Sequence, residues 1–339
     1  MLRTLLILLA LCVGHSHAAV TKQAPQQRKA VQAVQAVSKA VAGPKTVSKA
    51  IAGAKVGLQP IHRVALRHGG RGHAVRHAPP PPEVFNPDVL DVQSTAALVM
   101  NVRDGSVIHE KNVGAVAPIA SITKLMTAMV ALDAKLPLDE SIVLTEDDLD
   151  YLKNTGSRLQ IGTVLTRDEL LRLALMSSEN RAASALGRAY PGGMPAFVRE
   201  MNLKAMSLEM RNSTFVDSTG LSSSNVSTAQ DLAKMVKAAY TYPLIRQYST
   251  GNGYEVLAHN GRSLQFGNTN SLVVSPDWHI NLSKTGYIRE AGRCLVMHTT
   301  IAGSPIVIVL LDSWGRLSRA GDANRIKKFI EYHAGRHVG

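Results

Sequence analysis

Three short motifs stand in one order along this chain: Ser121-Ile-Thr-Lys124, then Ser178-Glu-Asn180, then Lys284-Thr-Gly286. The first and the last each occur once. Brought together by a fold, they supply a serine nucleophile, a lysine able to deprotonate it, and a second set of polar groups to relay the proton and hold a substrate. That is an acyl-transfer site without a histidine.

A serine hydroxyl is a poor nucleophile at its own pKa and needs an adjacent base. Spaced three apart on a helix, Ser121 and Lys124 project from one face, so the amine reaches the hydroxyl. The stretch Ser121 to Ala134 carries Leu125, Met129 and Leu132 on an apolar stripe with no Gly or Pro, which predicts a helix with Ser121 in its first turn. There the unpaired backbone N–H groups and the positive end of the helix dipole favour developing negative charge. A lysine serves as a base only if its pKa falls well below the usual value of about 10.4, through burial together with a nearby cation. Lys284 is the expected cation. The expected roles are Lys124 as the neutral proton acceptor, Ser178 as the relay toward the leaving amine, and Asn180 as a donor to the substrate backbone. Lys284 and Thr285 would hold a substrate carboxylate. The backbone N–H groups of Ser121 and of Tyr287, just after Gly286, are the expected oxyanion donors.

The flanking sequence gives each motif a context. Thr166-Arg-Asp-Glu169 is a capping box opening an apolar helix, Leu170 to Met176, that delivers Ser178 to a turn between helices. Residues Ile280 to Lys284 read as a strand. The apolar runs Cys294 to Ile301 and Ile306 to Leu311 enclose Gly303, Ser304 and Pro305, the signature of an antiparallel hairpin. Ala96 to Val102 and Val107 to Glu110 flank Asp104-Gly105, a second hairpin. A last helix is predicted from about Asp322 to Tyr332. Strands from both ends with helices between them give an α+β fold, an antiparallel sheet with flanking helices and a helical lobe.

On these motifs, residues 90–335 resemble the transpeptidase-like domain of the low-molecular-mass penicillin-binding proteins, the D-alanyl-D-alanine peptidases of family S11. All three motifs match residue by residue, and Phe215-Val-Asp-Ser-Thr-Gly-Leu221 resembles the family's Phe-x-x-x-x-Gly-Leu stretch. Glu179 stands where members often carry Gly. The resemblance implies a transpeptidase/β-lactamase-like sandwich. It also implies that peptidoglycan stem peptides ending in D-Ala acylate Ser121, with Lys124 as proton acceptor and Ser178 as third catalytic group. Lys284, Thr285, Gly286 and Asn180 would bind substrate, β-lactams would act as covalent inhibitors, and neither cofactor nor metal is required.

Two neighbouring classes share part of the pattern. Class A β-lactamases need a glutamate that activates water, and no Glu-x-x-Leu-Asn lies between Ser178 and Lys284. Penicillin sensors acylate and then stall, and come attached to membrane spans, of which the chain offers none after its leader. Within the peptidases, carboxypeptidases usually continue into a β-rich domain and an amphipathic anchor, whereas this chain ends 53 residues after Gly286. The expectation is therefore a short periplasmic endopeptidase that cuts the D-Ala to diaminopimelate cross-bridge, with D-alanyl-D-alanine carboxypeptidase as the alternative.

The N-terminal side predicts where this happens. Met1-Leu-Arg3, the apolar run Leu5 to Val13 and Ser16-His-Ala18 read as a signal peptide cleaved after Ala18, too short to span a bilayer. Leu11 before Cys12 argues against a lipoprotein site. Cys294 is then the lone cysteine, a buried small hydrophobe with no disulfide partner. Residues 19–89 read as a tether, of which 19–82 is built from Ala, Val, Gln, Lys, His and Pro, ends in a Pro79–Pro82 run and is not expected to fold. Of the formal charge of +13, the leader supplies +1 and residues 19–82 supply +11, leaving +1 for the rest. The basicity thus belongs to the tether. On a secreted chain it meets anionic phospholipid, lipopolysaccharide or wall carboxylates, not nucleic acid, or it serves only as a solvated spacer. Of His62, His68, His73 and His77 in the tether, only His73 and His77 are spaced i, i+4, and an unfolded tether would not hold a site geometry, so no metal is expected there. Residues 336–339 complete the chain as a short tail.

Overall fold

The structure is a computed structural model and describes residues 88–315 and 317–336. The leader, nearly all of the basic tether with its histidines, and the final three residues lie outside the described residues. Eleven strands are described: β1 (Ala96–Asn101), β2 (Val107–Lys111), β3 (Ala117–Pro118), β4 (Ser141–Val143), β5 (Val164–Thr166), β6 (Val226–Ser227), β7 (Gly253–Leu257), β8 (Ser263–Gly267), β9 (His279–Ile288), β10 (Gly292–Ile301) and β11 (Ser304–Ser313). The α-helices are α1 (Thr123–Asp133), α2 (Arg167–Met176), α3 (Asn180–Arg188), α4 (Gly193–Ser207), α5 (Ala229–Tyr240), α6 (Pro243–Ser249) and α7 (Ser318–Arg336).

Five strands form one antiparallel sheet in the order β2-β1-β11-β10-β9, so β9 is an edge strand. Three two-stranded ribbons, β3–β6, β4–β5 and β7–β8, complete the strand pairing. The central strands are covered on both faces. From β10, Cys294 and Val296 enter the core shared with the helical lobe, while Leu295 and Met297 enter a second core beneath α7 with Ala323 and Ile326. Burial on both faces is why β10 and β11 read as continuous apolar runs and not as alternating ones. Cys294 is buried, as its place in an apolar strand predicts, and burial pushes its thiol up to about 11.

The helix carrying Lys124 lies at the middle of the lobe. Every residue from Thr123 to Ala131 is buried, because α2, α3, α4, α5 and α6 all pack around it. The apolar stripe of Leu125, Met129 and Leu132 is thus part of a larger buried surface. Each fully buried Leu or Met there contributes about 1.5–3 kcal/mol relative to exposure. The capping box forms as the sequence predicts: Glu169 N donates to Thr166 Oγ1 at 3.2 Å and Thr166 N donates to Glu169 Oε2 at 2.8 Å.

The last helix is longer than predicted, beginning at Ser318 and ending at Arg336. Asp322 reads in the sequence as a helix start, but it sits inside α7 as a buried anchor. Its carboxylate accepts from Gln93 N and Ser94 N at 2.8 Å each, and from Ser94 Oγ at 2.5 Å. This ties the entry to β1 onto the helix that covers the sheet. Asp322→Ala would leave two backbone N–H groups unpaired. It is expected to lower stability by about 3 kcal/mol, read as a reduced urea midpoint with an unchanged slope.

Candidate active site

Ser121 occupies the 3-10 turn Ala120–Ile122 that precedes α1, so it stands just ahead of the helix and not in its first turn. Backbone geometry explains the shift. Ala120 has φ +48, a left-handed conformation costly for a residue with a Cβ, which turns the chain before the helix starts. Two glycines press against this turn. A Cβ on Gly220, itself at φ +80, would lie 2.0 Å from Ala120 O, and a Cβ on Gly286 would lie 2.9 Å from Ile119 O and 3.1 Å from Ser121 N. Gly286 of the third motif is therefore a contact residue of the first.

Lys124 is fully buried. Its Nζ is bonded to Ser121 Oγ at 2.8 Å, Asn180 Oδ1 at 2.7 Å and Thr219 O at 2.7 Å. Burial brings its pKa down to about 7, with Asp217, Glu179 and Asp150 pulling the other way. A neutral amine keeps two N–H donors and one lone pair. Asn180 Oδ1 and Thr219 O can only accept, so they take the two donors and leave the lone pair facing the Ser121 hydroxyl. That is the geometry of a base poised on its nucleophile.

The opposite wall comes from the α2–α3 turn and from β9. Ser178 has φ +60, so the turn aims its hydroxyl into the cleft. Lys284 Nζ donates to Ser178 Oγ and to Thr285 O, both at 2.9 Å. Lys284 is buried, and burial, then the Lys124 charge and then Arg319 drive its pKa well below the ordinary lysine value. The sequence reading made Lys284 the cation that lowers Lys124. Burial, the other expected cause, leads at both residues, and the repulsion between the two ammonium groups registers at Lys284 and not at Lys124. Glu179, the odd residue of the second motif, caps α3 by accepting from Arg181 N. Asn180 spans the cleft floor, with Nδ2 donating to Thr155 Oγ1 at 2.9 Å.

Ser121, Lys124, Ser178, Asn180, Lys284, Thr285 and Gly286 thus converge on one cleft. Tyr287 continues β9 past Gly286, with its side chain exposed beneath the Arg293 guanidinium. Four supporting groups were not singled out from the sequence. The Thr219 carbonyl on Lys124 is held by Asp217, whose carboxylate accepts from the backbone N–H groups of Thr219, Gly220 and Ser222. Thr155 supports Asn180. Thr269 bonds Thr285 Oγ1 at 2.7 Å, and its backbone N–H reaches Met176 O at 3.1 Å, joining the second and third motifs. Arg319 donates to Gly286 O at 3.2 Å and Cys294 O at 3.3 Å. Asp217 and Thr219 lie within the flagged Phe215–Leu221 stretch, so a signal existed for them. Arg319 offered none, since its relevance depends on how α7 sits on the sheet.

An antiparallel sheet against a helical lobe, with two serines and two buried lysines joined in the cleft between them, places the molecule among the serine DD-peptidases. Solved structures of the Streptomyces K15 DD-transpeptidase share the fold, with a TM-score of 0.66 and 27% identity over 70% of this chain and 97% of theirs. The chain belongs to the D-alanyl-D-alanine carboxypeptidase family, peptidase S11, which matches residues 83–314. It is 46% identical to a D-alanyl-D-alanine endopeptidase of Pseudomonas aeruginosa, covering 75% of this chain and 82% of that protein. It is 45% identical to a D-alanyl-D-alanine endopeptidase of Escherichia coli, covering 71% and 78%.

Deprotonation of Lys124 near pH 7 has a kinetic consequence. The acylation rate with a labelled penicillin is expected to rise about tenfold per pH unit on the acid side of that pKa and to level off above it. Lys124→Arg, which stays protonated, is expected to lose about a thousandfold in that rate. A flat profile in the parent protein would mean that Lys124 is not the titrating base.

Proposed function

We propose that this chain is a periplasmic serine D-alanyl-D-alanine endopeptidase that opens peptidoglycan cross-bridges through an acyl-enzyme on Ser121. The observation that carries the chemistry is the arrangement at Lys124 Nζ, where two carbonyl acceptors orient the amine and the remaining direction faces Ser121 Oγ. Lys124 takes the Ser121 proton as the hydroxyl attacks the D-alanyl carbonyl. The backbone N–H groups of Ser121 and Tyr287 receive the oxyanion, each worth about 3 kcal/mol in systems of this kind. Ser178, bonded to Lys284, relays the proton held by Lys124 to the leaving amine as the C–N bond breaks, which returns Lys124 to its neutral form. Lys284 and Thr285 hold the leaving group's carboxylate, a contact that restores a charge on Lys284. Water then attacks the ester, with Lys124 again as base, and Ser121 is released.

β9 supports the binding mode. It is the edge strand of the sheet on the cleft side, so an extended stem peptide can add to it by main-chain hydrogen bonds. Asn180 Nδ2 has a second N–H besides the one given to Thr155, available for the substrate backbone. The endopeptidase reading rests on the two relatives of that name at 45–46% identity. The family's own description, and a Bacillus subtilis carboxypeptidase at 29% identity, support D-Ala release from pentapeptides as the second reading. The leader read from the sequence supports the periplasm, and no helix among the described residues is long and apolar enough to cross a membrane. The basic tether is proposed to hold the enzyme against anionic envelope surfaces.

Mass spectrometry of purified muropeptides incubated with the mature protein and with Ser121→Ala tests the reading. Cross-linked dimers converted to monomers by the parent protein alone is the expected result. Loss of one D-Ala from pentapeptide monomers with dimers untouched would replace it by the carboxypeptidase. Covalent penicillin labelling with neither substrate changed would leave only a stalled sensor.

A further inference from the structure

A cavity of about 350 Å³ opens beside the third motif, lined by Thr269, Ser271, Arg293, Leu295, Leu317 and Arg319 among others. Its position follows from the register of β9 and β10. Thr285 pairs with Leu295 and Tyr287 with Arg293, so these side chains share the face of the sheet that α7 covers. Thr269 lines the cavity and also bonds the Thr285 hydroxyl. The cavity therefore begins where the proposed leaving-group carboxylate is held, on the far side of the scissile bond from the acyl group.

The charge around this cavity is unbalanced. Two guanidinium groups line it and no carboxylate does. Arg319 gives Nη1 to two backbone carbonyls, and its pKa is lowered by burial and by Arg293. The Arg293 guanidinium rests over the Tyr287 ring at 4.7 Å and pairs with no carboxylate among the described residues. Two like charges lining one cavity are stabilised by an anion placed between them. An alanine leaving group brings a methyl group and a carboxylate, and the carboxylate is the part that Lys284 and Thr285 are proposed to hold. The volume beyond them fits a longer chain.

We propose that this cavity is a leaving-group subsite and that Arg293 is a specificity-determining residue within it, binding the anionic extension of an amine longer than alanine. The inference rests on the endopeptidase reading and names its leaving-group side: the second stem peptide of a cross-bridge, a carboxylate-bearing amine with further acidic peptide attached. In the step itself the acyl C–N bond breaks, the amine takes its proton through Ser178, and the Ser121 ester forms. Arg293 takes no part in that proton transfer and acts by binding the departing chain.

The test compares the parent protein with Arg293→Gln and Arg293→Glu on two substrates, a cross-linked muropeptide dimer and a pentapeptide monomer, with penicillin labelling to report an intact fold and nucleophile. The ratio of kcat/KM for dimer over that for monomer is expected to fall about tenfold in Arg293→Gln, the scale of one charge-assisted hydrogen bond, mostly through KM, and further in Arg293→Glu. Raising ionic strength should lower the dimer rate of the parent protein and leave that of Arg293→Gln less affected. An unchanged ratio, or equal losses on both substrates with labelling retained, overturns the subsite while the endopeptidase reading stands. A parent protein that cleaves no dimer removes that reading and the subsite with it.

Discussion

An ammonium group moved from water into a protein interior costs several kcal/mol unless it is paired or gives up its proton. Lys124 is fully buried on a helix that is itself buried along most of its length, and its three partners are neutral. The nearest opposition comes from Asp217, Glu179 and Asp150, which act at a distance and hold its pKa at about 7 without an ion pair. Lys284 sits under the same constraint on the facing strand and feels the Lys124 charge as well. The cleft thus disfavours two simultaneous charges. Each lysine reaches its working protonation state from the environment the fold provides, and a carboxylate entering beside Thr285 would stabilise a proton on Lys284 while leaving Lys124 free to act as base.

Holding that arrangement requires backbone strain, which the surrounding packing sustains. Ala120 and Ser178 both have positive φ, at +48 and +60, and each places a reactive hydroxyl at or next to its position. Neither conformation would persist in an isolated peptide. Around Ala120 it is fixed by Gly220 and Gly286, whose missing side chains let two separate backbone segments close on the turn. The Asp217 carboxylate fixes the Gly220 segment in turn, and Arg319 fixes the Gly286 carbonyl. The third motif's glycine therefore serves the position of the first motif's serine as much as any substrate.

The parts of this fold with a strong side-chain signature were legible in the sequence. The capping box at Thr166 and Glu169, the β10–β11 hairpin around Gly303 and the β1–β2 hairpin were read within a few residues of their observed bounds. So were the seven cleft residues that the motifs name. What was not legible has a common physical origin. The Thr219 carbonyl is a backbone acceptor, and any residue type supplies one. Arg319 acquires its role only from the way α7 lies across β9 and β10, and Asp322, read as a helix start, is recruited by Ser94 from the other end of the domain. The placement of Ser121 ahead of its helix was missed because Ala120, unlike glycine, gives no hint of a left-handed conformation.

The same edge strand that can pair with a substrate is a hazard for a folded protein, since unpaired N–H and C=O groups invite pairing with other chains. β9 cannot be closed off by another strand without losing the cleft. Protection comes instead from the helical lobe beside it and from a loop of that lobe. Lys153 on this loop reaches Glu290, just past the end of β9, in an ion pair of 2.5 Å whose side chains remain 26% and 41% exposed. Exposed pairs of this kind contribute about 0–1 kcal/mol, so the bridge can restrain the mouth of the cleft without locking it. Lys124, Lys284 and the two strained turns sit behind it on elements fixed by the two cores, where stiffness serves the chemistry.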